Sequence, residues 1–377
     1  MEDSSLVSVI VSSYKNSEYL DDCLDSIFSQ TYDNIELIVS NDCSDDFDEN
    51  AIRLYIENNK TDIIRNVIIN KNERNLGTVK HCNTLLNLSS GNYVMFIACD
   101  DAYNNSDVIK AMVNGFKIVP ADVMSIVGQT EMRDKDLNKC MRLYTDENIQ
   151  RLINSLSPYE FYENYLTIEP YFPGGGRIYK KEAFEKYGKF DEKYYLVEDW
   201  TSSIMHAKQG MRTYFLDIHC INHRDGGVSH SARTRENFAH KMLLLDLITL
   251  CENILADPNI TNEITIEEVR RKLEHFNQNY SNVFGIPIGL IKRINSSETS
   301  TLEAEQMLTQ LKESILEMSV GKPATDRHEK NEIITKLEAR LQELNERLIM
   351  LENSTLWRLT KPIRKIIDTV RRVIQRN

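Results

Sequence analysis

Residues 92–101 read NYVMFIACDD. Val94 to Ala98 form an unbroken apolar run, the pattern of a strand buried on both faces in a parallel sheet. The run stops at Asp100-Asp101. Adjacent carboxylates at the end of a buried strand need compensation, and in open α/β sheets ligands bind in the crevice beyond the strand ends. A divalent cation bridging to a phosphate-bearing ligand would supply it. Two solvated acids opening the turn before Asn104-Asn105 fit this stretch equally well.

Working outward, strand and helix signals alternate four times in the first hundred or so residues. Val7–Ser12, Ile35–Ser40 and Asn66–Asn70 read as strands that precede the one at 94–98. Leu20, Cys23, Leu24, Ile27 and Phe28 recur at helical spacing after Asn16 and Ser17, which are N-cap candidates. Ser44 is placed to cap a second helix, and the turn at Asn75–Thr78 opens a third through Leu85, Leu86 and Leu88. This alternation predicts a doubly wound α/β half-domain with right-handed crossovers. The second strand also ends in an acid, Asp42, so three carboxylates face one crevice if the strand ends align. Neither GxGxxG after the first strand nor GxxxxGK[ST] is found. A glycine loop therefore does not cradle phosphates here, which argues against dehydrogenase and kinase readings and favours a metal-bridged diphosphate.

Composition bounds the rest. The 377 residues are 41% apolar with a net charge of −12, which disfavours a general nucleic-acid binder. Seven cysteines show no CxxC pair, a pattern expected of reduced thiols in a cytoplasmic compartment. The opening MEDSSLVSVIV does not read as a signal peptide, and no apolar run approaches the ~20 residues of a membrane span. Met242–Leu245, broken by Asp246, reads as a buried helix face.

Beyond Asp107 a helix to about Val119 and a strand over 121–129 are expected, then helix over 144–168. The aromatics of that last stretch, Tyr159, Phe161, Tyr162 and Tyr165, suit core packing or stacking on a sugar. Gly174-Gly175-Gly176 precede Arg177 in a chain with only 14 glycines. They permit close approach of backbone to a ligand, or serve as a connector. Glu198-Asp199-Trp200 begins the next helix; its acidic pair is either functional or a first turn favoured by the helix dipole. His219, His223 and His230 surround Gly226-Gly227, which argues for a loop; one of these histidines could ligate a metal or a phosphate.

Together these residues resemble the family 2 glycosyltransferases, which have the GT-A fold. The resemblance is carried by VSVIVSSYKNSEYLDDCLDSIFSQTYDNIELIVSND, NLG-T, SSGNY, the acids at 100–101, GGGRIYKKEAFEKYGKFDE and the Glu198-Asp199 pair, over roughly residues 6–235. It implies an α/β fold with a mixed, mainly parallel sheet. It further implies that Ser12 and Tyr14 lie at the nucleotide and that Asp42 accepts from the base. Asp100 would contact the ribose or support the metal shell, and Asp101 would ligate Mn²⁺ or Mg²⁺ on the diphosphate; among the histidines His223 is the candidate to join it. Asp199 matches the general base, with Glu198 beside it. Gly175, Gly176, Arg177 and Trp200 fall in the acceptor or donor loop. Two departures are visible. The family's DDGS is Asn41-Asp42-Cys43-Ser44 here, and its DxDD is Ala98-Cys99-Asp100-Asp101.

The sequence divides into a catalytic domain over 1–235, a helical extension over 236–324, a coiled coil over 325–353 and a basic tail over 354–377. Ile334, Leu337, Leu341, Leu344, Leu348 and Leu351 alternate spacings of 3 and 4, a heptad seam suited to a homo-oligomer or to a helix docked on its own domain. Residues 357–377 carry seven Lys/Arg against one acid, a net +6, leaving −18 on the remainder. A basic amphipathic helix edged by Trp357 suits an anionic membrane surface, and it resembles the tails of bacterial surface-polysaccharide glycosyltransferases. A helix bound to the acidic domain is the other reading. The expected protein is an inverting, metal-dependent enzyme at the cytoplasmic membrane face. It would move a sugar from a nucleotide sugar, UDP-linked or dTDP-linked, to a glycan or lipid-linked acceptor. Its rivals are a non-catalytic sugar-nucleotide scaffold and a sugar nucleotidyltransferase. The latter would want a Gly- and Arg/Lys-rich loop after the first strand, where Ser12–Asn16 stand.

Overall fold

Four parallel strands form the half of the sheet that the alternation predicts. In a computed structural model describing residues 5–164, 174–226 and 238–284, they are β1 (Val7–Ser13), β2 (Ile35–Asn41), β3 (Ile64–Lys71) and β4 (Tyr93–Ala98). Helices α1 (Leu20–Phe28), α2 (Glu49–Asn59) and α3 (Thr78–Leu88) connect them. The spatial order is β3-β2-β1-β4. The register pairs Ser12 with both Ser40 and Ala98, so the ends of β1, β2 and β4, the last two acid-bearing, stand level. Val94, Met95 and Ile97 are fully or almost fully buried because strands flank β4 and core clusters cover both faces of the sheet.

The chain then continues through β5 (Ala102–Tyr103), α4 (Val108–Gly115), β6 (Val123–Arg133), β7 (Cys140–Leu143), α5 (Glu147–Ser155) and α6 (Pro158–Asn164). After a gap in the described residues come β8 (Arg177–Lys180), α7 (Glu182–Tyr187), α8 (Glu198–Lys208) and β9 (Arg212–Arg224). These strands extend the sheet as β4-β8-β6-β9-β5, with β7 paired to β6. Here the pairing is mixed: β8 runs antiparallel to both β4 and β6, while β6 and β9 are parallel. The result is a mixed α/β sheet with flanking helices.

Several local expectations are revised. Asp48, not Ser44, caps α2, accepting from the N–H groups of Asn50 and Ala51. Ser44 is instead buried in the loop after β2, where its Oγ accepts from Lys15 N at 3.1 Å. Asn16 makes no side-chain cap; its amide reaches across to Asp100. His219 and His223 lie in β9, because pairing with β6 carries the strand to Arg224, and the expected loop begins only with the turn at Asp225-Gly226. The aromatics of α6 divide, with Phe161 and Tyr162 in the core and Tyr159 exposed. Tyr165 and His230 lie outside the described residues.

Helices α9 (Phe238–Leu255) and α10 (Glu263–Phe284) follow. Two compact units are distinguished, Met1–Phe276 and Asn277–Asn377, so the first runs past residue 235 and takes in α9 and most of α10. Among the described residues no helix is long and apolar enough to cross a membrane. The expected coiled coil and basic tail lie outside them.

Candidate active site

The site is built where the strands of the two half-sheets end. Tyr14 follows β1 and is 37% exposed, with the Lys15 ammonium 5.1 Å from its ring centre. Lys15 and Asn16 both adopt left-handed backbone (φ 58° and 60°), an uncommon conformation for side-chain-bearing residues. This turn aims the Asn16 amide at Asp100, whose Oδ2 accepts from it at 3.1 Å. Ser12 sits one step back in β1, where its carbonyl accepts from Cys99 N at 2.9 Å.

Asp42 is buried and already well occupied. Its Oδ1 accepts from Asn72 Nδ2 and Leu76 N, both at 2.8 Å, and its Oδ2 from Gly77 N at 2.9 Å. The carboxylate thus shapes the loop 72–77, and Oδ2 keeps capacity for one further donor.

Asp101 is 5% exposed and charge-partnered. His223 Nδ1 lies 3.1 Å from its Oδ2, and Arg224 N donates to its Oδ1 at 3.0 Å. Burial opposes the charging of His223, but the adjacent Asp101 outweighs it and holds the imidazole above its usual range. Arg224 braces the same corner. Its Nε donates to the Asp100 carbonyl at 2.8 Å, its Nη2 to Asp22 at 2.8 Å, and its guanidinium lies over the Tyr19 ring at 4.2 Å. Desolvation, reinforced by Asp101, raises the Asp100 carboxyl. His219, four residues from His223 and thus about 13 Å away by strand rise, bonds Glu131 instead. The two histidines therefore serve different places.

The second acidic pair opens α8. Desolvation, then the neighbouring Asp199, pushes the Glu198 carboxyl up to about 8. Asp199 is also raised by desolvation, against the pull of the Trp200 N–H, which donates to its Oδ1 at 2.6 Å. Arg177 is the nearby cation that opposes both shifts. Expected in the acceptor or donor loop, Arg177 is instead the first residue of β8 and completely buried. Its guanidinium donates to Tyr179 Oη and Ser203 Oγ, each at 2.8 Å. Completely buried, it acts on the acids through its field. Trp200, assigned to the same loop, packs partly buried on the core beside Lys272.

The Gly174–Gly176 turn joins the two acidic corners. A Cβ on Gly174 would stand 3.0 Å from Glu198 Oε1 and 3.7 Å from the Asp199 Cβ. One on Gly175 would stand 3.9 Å from Asp101 Oδ2, and one on Gly176 only 2.7 Å from Thr130 Oγ1. A side chain at Gly176 would force a shift, one at Gly174 would press on the Glu198 carboxylate, and one at Gly175 would make ordinary contact. Tyr144, which the sequence reading did not single out, also spans them. Its ring meets His223 edge-on at 5.7 Å, Arg142 lies 5.0 Å from its centre, and both Asp101 and Asp199 act on its phenol. Burial pushes that phenol up to about 12. No motif marked Tyr144; only the β6–β7 hairpin brings it here.

Among the described residues no group of three or more His, Cys, Asp and Glu side chains could by itself hold a metal ion. Asp101 and His223 form a two-ligand set of one hard oxygen and one imidazole nitrogen. That set could hold a divalent ion once the His223 imidazole gives up its proton, and its nitrogen suits Mn²⁺ better than the oxygen-seeking Mg²⁺.

A family model described as Glycosyl transferase family 2 matches residues 8–188. Glycosyltransferase GlyA of Streptococcus pneumoniae is 29% identical over 196 residues, covering 50% of this chain and 27% of that protein. An uncharacterized glycosyltransferase of Haemophilus influenzae is 32% identical over 158 residues, covering 39% of this chain and 47% of that protein. The chain thus spans less than half the length of these two relatives. Among solved structures, the mannosyltransferase PcManGT from Pyrobaculum calidifontis, in complex with GDP-Man and Mn²⁺, is 16% identical with a TM-score of 0.49. That likeness covers 82% of this chain and 80% of the other.

Proposed function

We propose, from a chain whose residues 8–188 match the model of glycosyl transferase family 2, that it transfers a sugar from a nucleoside-diphosphate sugar to an acceptor hydroxyl with inversion. The observation that carries the reading is the meeting of the two acidic corners across the glycine turn, Asp101 with His223 on one side and Glu198 with Asp199 on the other. A leaving diphosphate needs its charge neutralised, and an attacking hydroxyl needs a proton acceptor. The two corners offer one of each.

Tyr14 and Asp42, near the level strand ends, would meet the nucleoside; Asp42 would use its remaining Oδ2 capacity on a base donor. Asp100, steadied by Asn16, would face the ribose. Asp101 and His223 would hold Mn²⁺ or Mg²⁺. A bound divalent ion supplies Lewis-acid stabilisation of the diphosphate. Asp199 takes the proton as the acceptor oxygen forms its bond to the anomeric carbon and the bond from that carbon to the diphosphate oxygen breaks. Attack on the face opposite the leaving group gives inversion. Glu198 carries the proton that the coupled pair retains near neutrality, leaving Asp199 as the anion. A UDP-sugar is the favoured donor and a dTDP-sugar the next.

The acceptor is a growing or lipid-linked surface glycan. The +6 tail would hold the enzyme at the anionic cytoplasmic face of the membrane, each Lys or Arg contributing about 1 kcal/mol near such a surface. The heptad seam over 325–353 would pair two chains. A panel of nucleotide sugars, each incubated with Mn²⁺, with Mg²⁺ and with chelator, tests the central reading. Release of free nucleoside diphosphate from one donor, abolished by chelator, is expected. Release from none, with or without acceptor extract, would remove it.

A further inference from the structure

Glu198 and Asp199 lie at the start of α8, and the segment before them, Tyr195–Val197, belongs to no helix or strand. Its backbone is nonetheless held. Tyr195 N donates to both carboxylate oxygens of Asp246 at 3.0 Å, Leu196 N to Oδ2 at 2.7 Å, and Val197 N to Oδ2 at 3.1 Å. Three successive amides thus converge on one carboxylate planted in the middle of α9. Asp246 is 4% exposed on a helix whose central run, Met242–Leu250, is otherwise almost wholly apolar. A charged side chain so buried persists only when its hydrogen bonds are filled, and here the loop amides fill them.

We infer that Asp246 is a positioning residue for the base pair: its grip on the amides of 195–197 sets where α8 begins and so where Glu198 and Asp199 point. The inference rests on the proposed transfer only for the meaning of the pair; the grip itself is a matter of geometry. The same clamp reaches the nucleotide side. The Tyr195 ring occupies the place where a Gly77 Cβ would stand, 2.6 Å away, and Gly77 N is held by Asp42. Asp246 therefore ties the acid that shapes the loop 72–77 to the acids that receive the proton. A helix outside the matched family region completes the site. Electrostatics run in the same direction. The charges facing Glu198 are Asp199 on its own helix, Arg177 from β8 and Asp246 from α9, with the Cys82 thiol of α3 also within its field. Asp246 raises the Glu198 carboxyl.

The test uses the full chain with Asp246→Asn, which keeps the shape and removes the charge. Hydrogen–deuterium exchange should quicken at least tenfold at the amides of 195–200 while α1 and β1–β4 stay protected. In the donor assay kcat should fall about tenfold with donor KM within twofold, and the acid limb of the kcat profile should move to lower pH. Asp246→Glu, which retains charge but shifts the carboxylate by one methylene, should lower kcat and leave the acid limb in place. It carries the test if the Asn variant does not fold. Unchanged exchange at 195–200 in a folded Asn variant would overturn the grip, whatever the enzyme assay shows. Faster exchange with kcat and pH profile both unmoved would leave the grip and overturn the positioning role.

Discussion

The molecule carries two adjacent acid pairs, Asp100-Asp101 and Glu198-Asp199, and their surroundings differ. The first ends a strand, and protein donors meet it: His223 and the Arg224 amide on Asp101, the Asn16 amide on Asp100. The second starts a helix, where desolvation and the proximity of its two members outweigh the field of a buried arginine. One environment supplies hydrogen-bond donors to a candidate ligand set; the other suits a carboxyl poised to exchange a proton near neutrality. Identical chemistry in the sequence is divided by what packs around it.

Four perturbations break or sharpen that contrast. The largest effect is expected from Asp199→Asn, which should cut turnover by ~10²–10⁴ with donor affinity kept, as removal of a general base does. Turnover measured at saturating donor checks it; an unchanged value would move the base elsewhere, Glu198 being next. Asp101→Asn comes second. It should weaken metal activation by about 100-fold or more, with the fold intact by circular dichroism. If activity and chelator response match wild type, the metal does not sit at that corner.

The third concerns pH. With Glu198 holding its proton up to about 8 and Asp199 left as the anion, wild-type kcat/KM should hold as pH drops through that region and fall only where Asp199 itself takes up a proton. Glu198→Gln keeps a neutral neighbour beside Asp199, so the acid limb should stay in place. The folded-state value lies above the unfolded one. Glu198 therefore contributes stability at low pH that is lost as pH rises from about 4.5 to about 8. Thermal scans should show the Gln variant gaining on wild type across that window; a constant difference would mean the Glu198 carboxyl titrates normally. The smallest effect on chemistry is expected from deleting 354–377. Donor hydrolysis should change less than about twofold, while binding to anionic liposomes at low salt, which added salt screens, disappears. Wild type that ignores such liposomes would make the tail a packing helix.

The half-sheet β1–β4 was legible because local pattern and global environment agree there. Each strand is an apolar run closed by a polar turn, and parallel pairing needs nothing more specific than burial on both faces. The acids at 42, 100–101 and 198–199 were legible for the same reason, as charges placed where periodicity stops. What sequence alone determined is the alternation and the inventory of carboxylates; the register of β1 with β2 and β4 levelled the strand ends. The tertiary structure decided which side chains meet those acids. Arg177 sits in a loop by sequence and is a buried counter-charge by structure, because β8 inserts antiparallel between β4 and β6. His223 and not His219 reaches Asp101, because pairing in β9 sets a spacing that the interval along the chain does not reveal. Asp246 reads as an interruption in an apolar helix, yet it closes on amides some fifty residues earlier. Periodicity reports what a residue's immediate neighbours bury. Contacts across that much chain depend on where whole elements dock, and no local pattern encodes that.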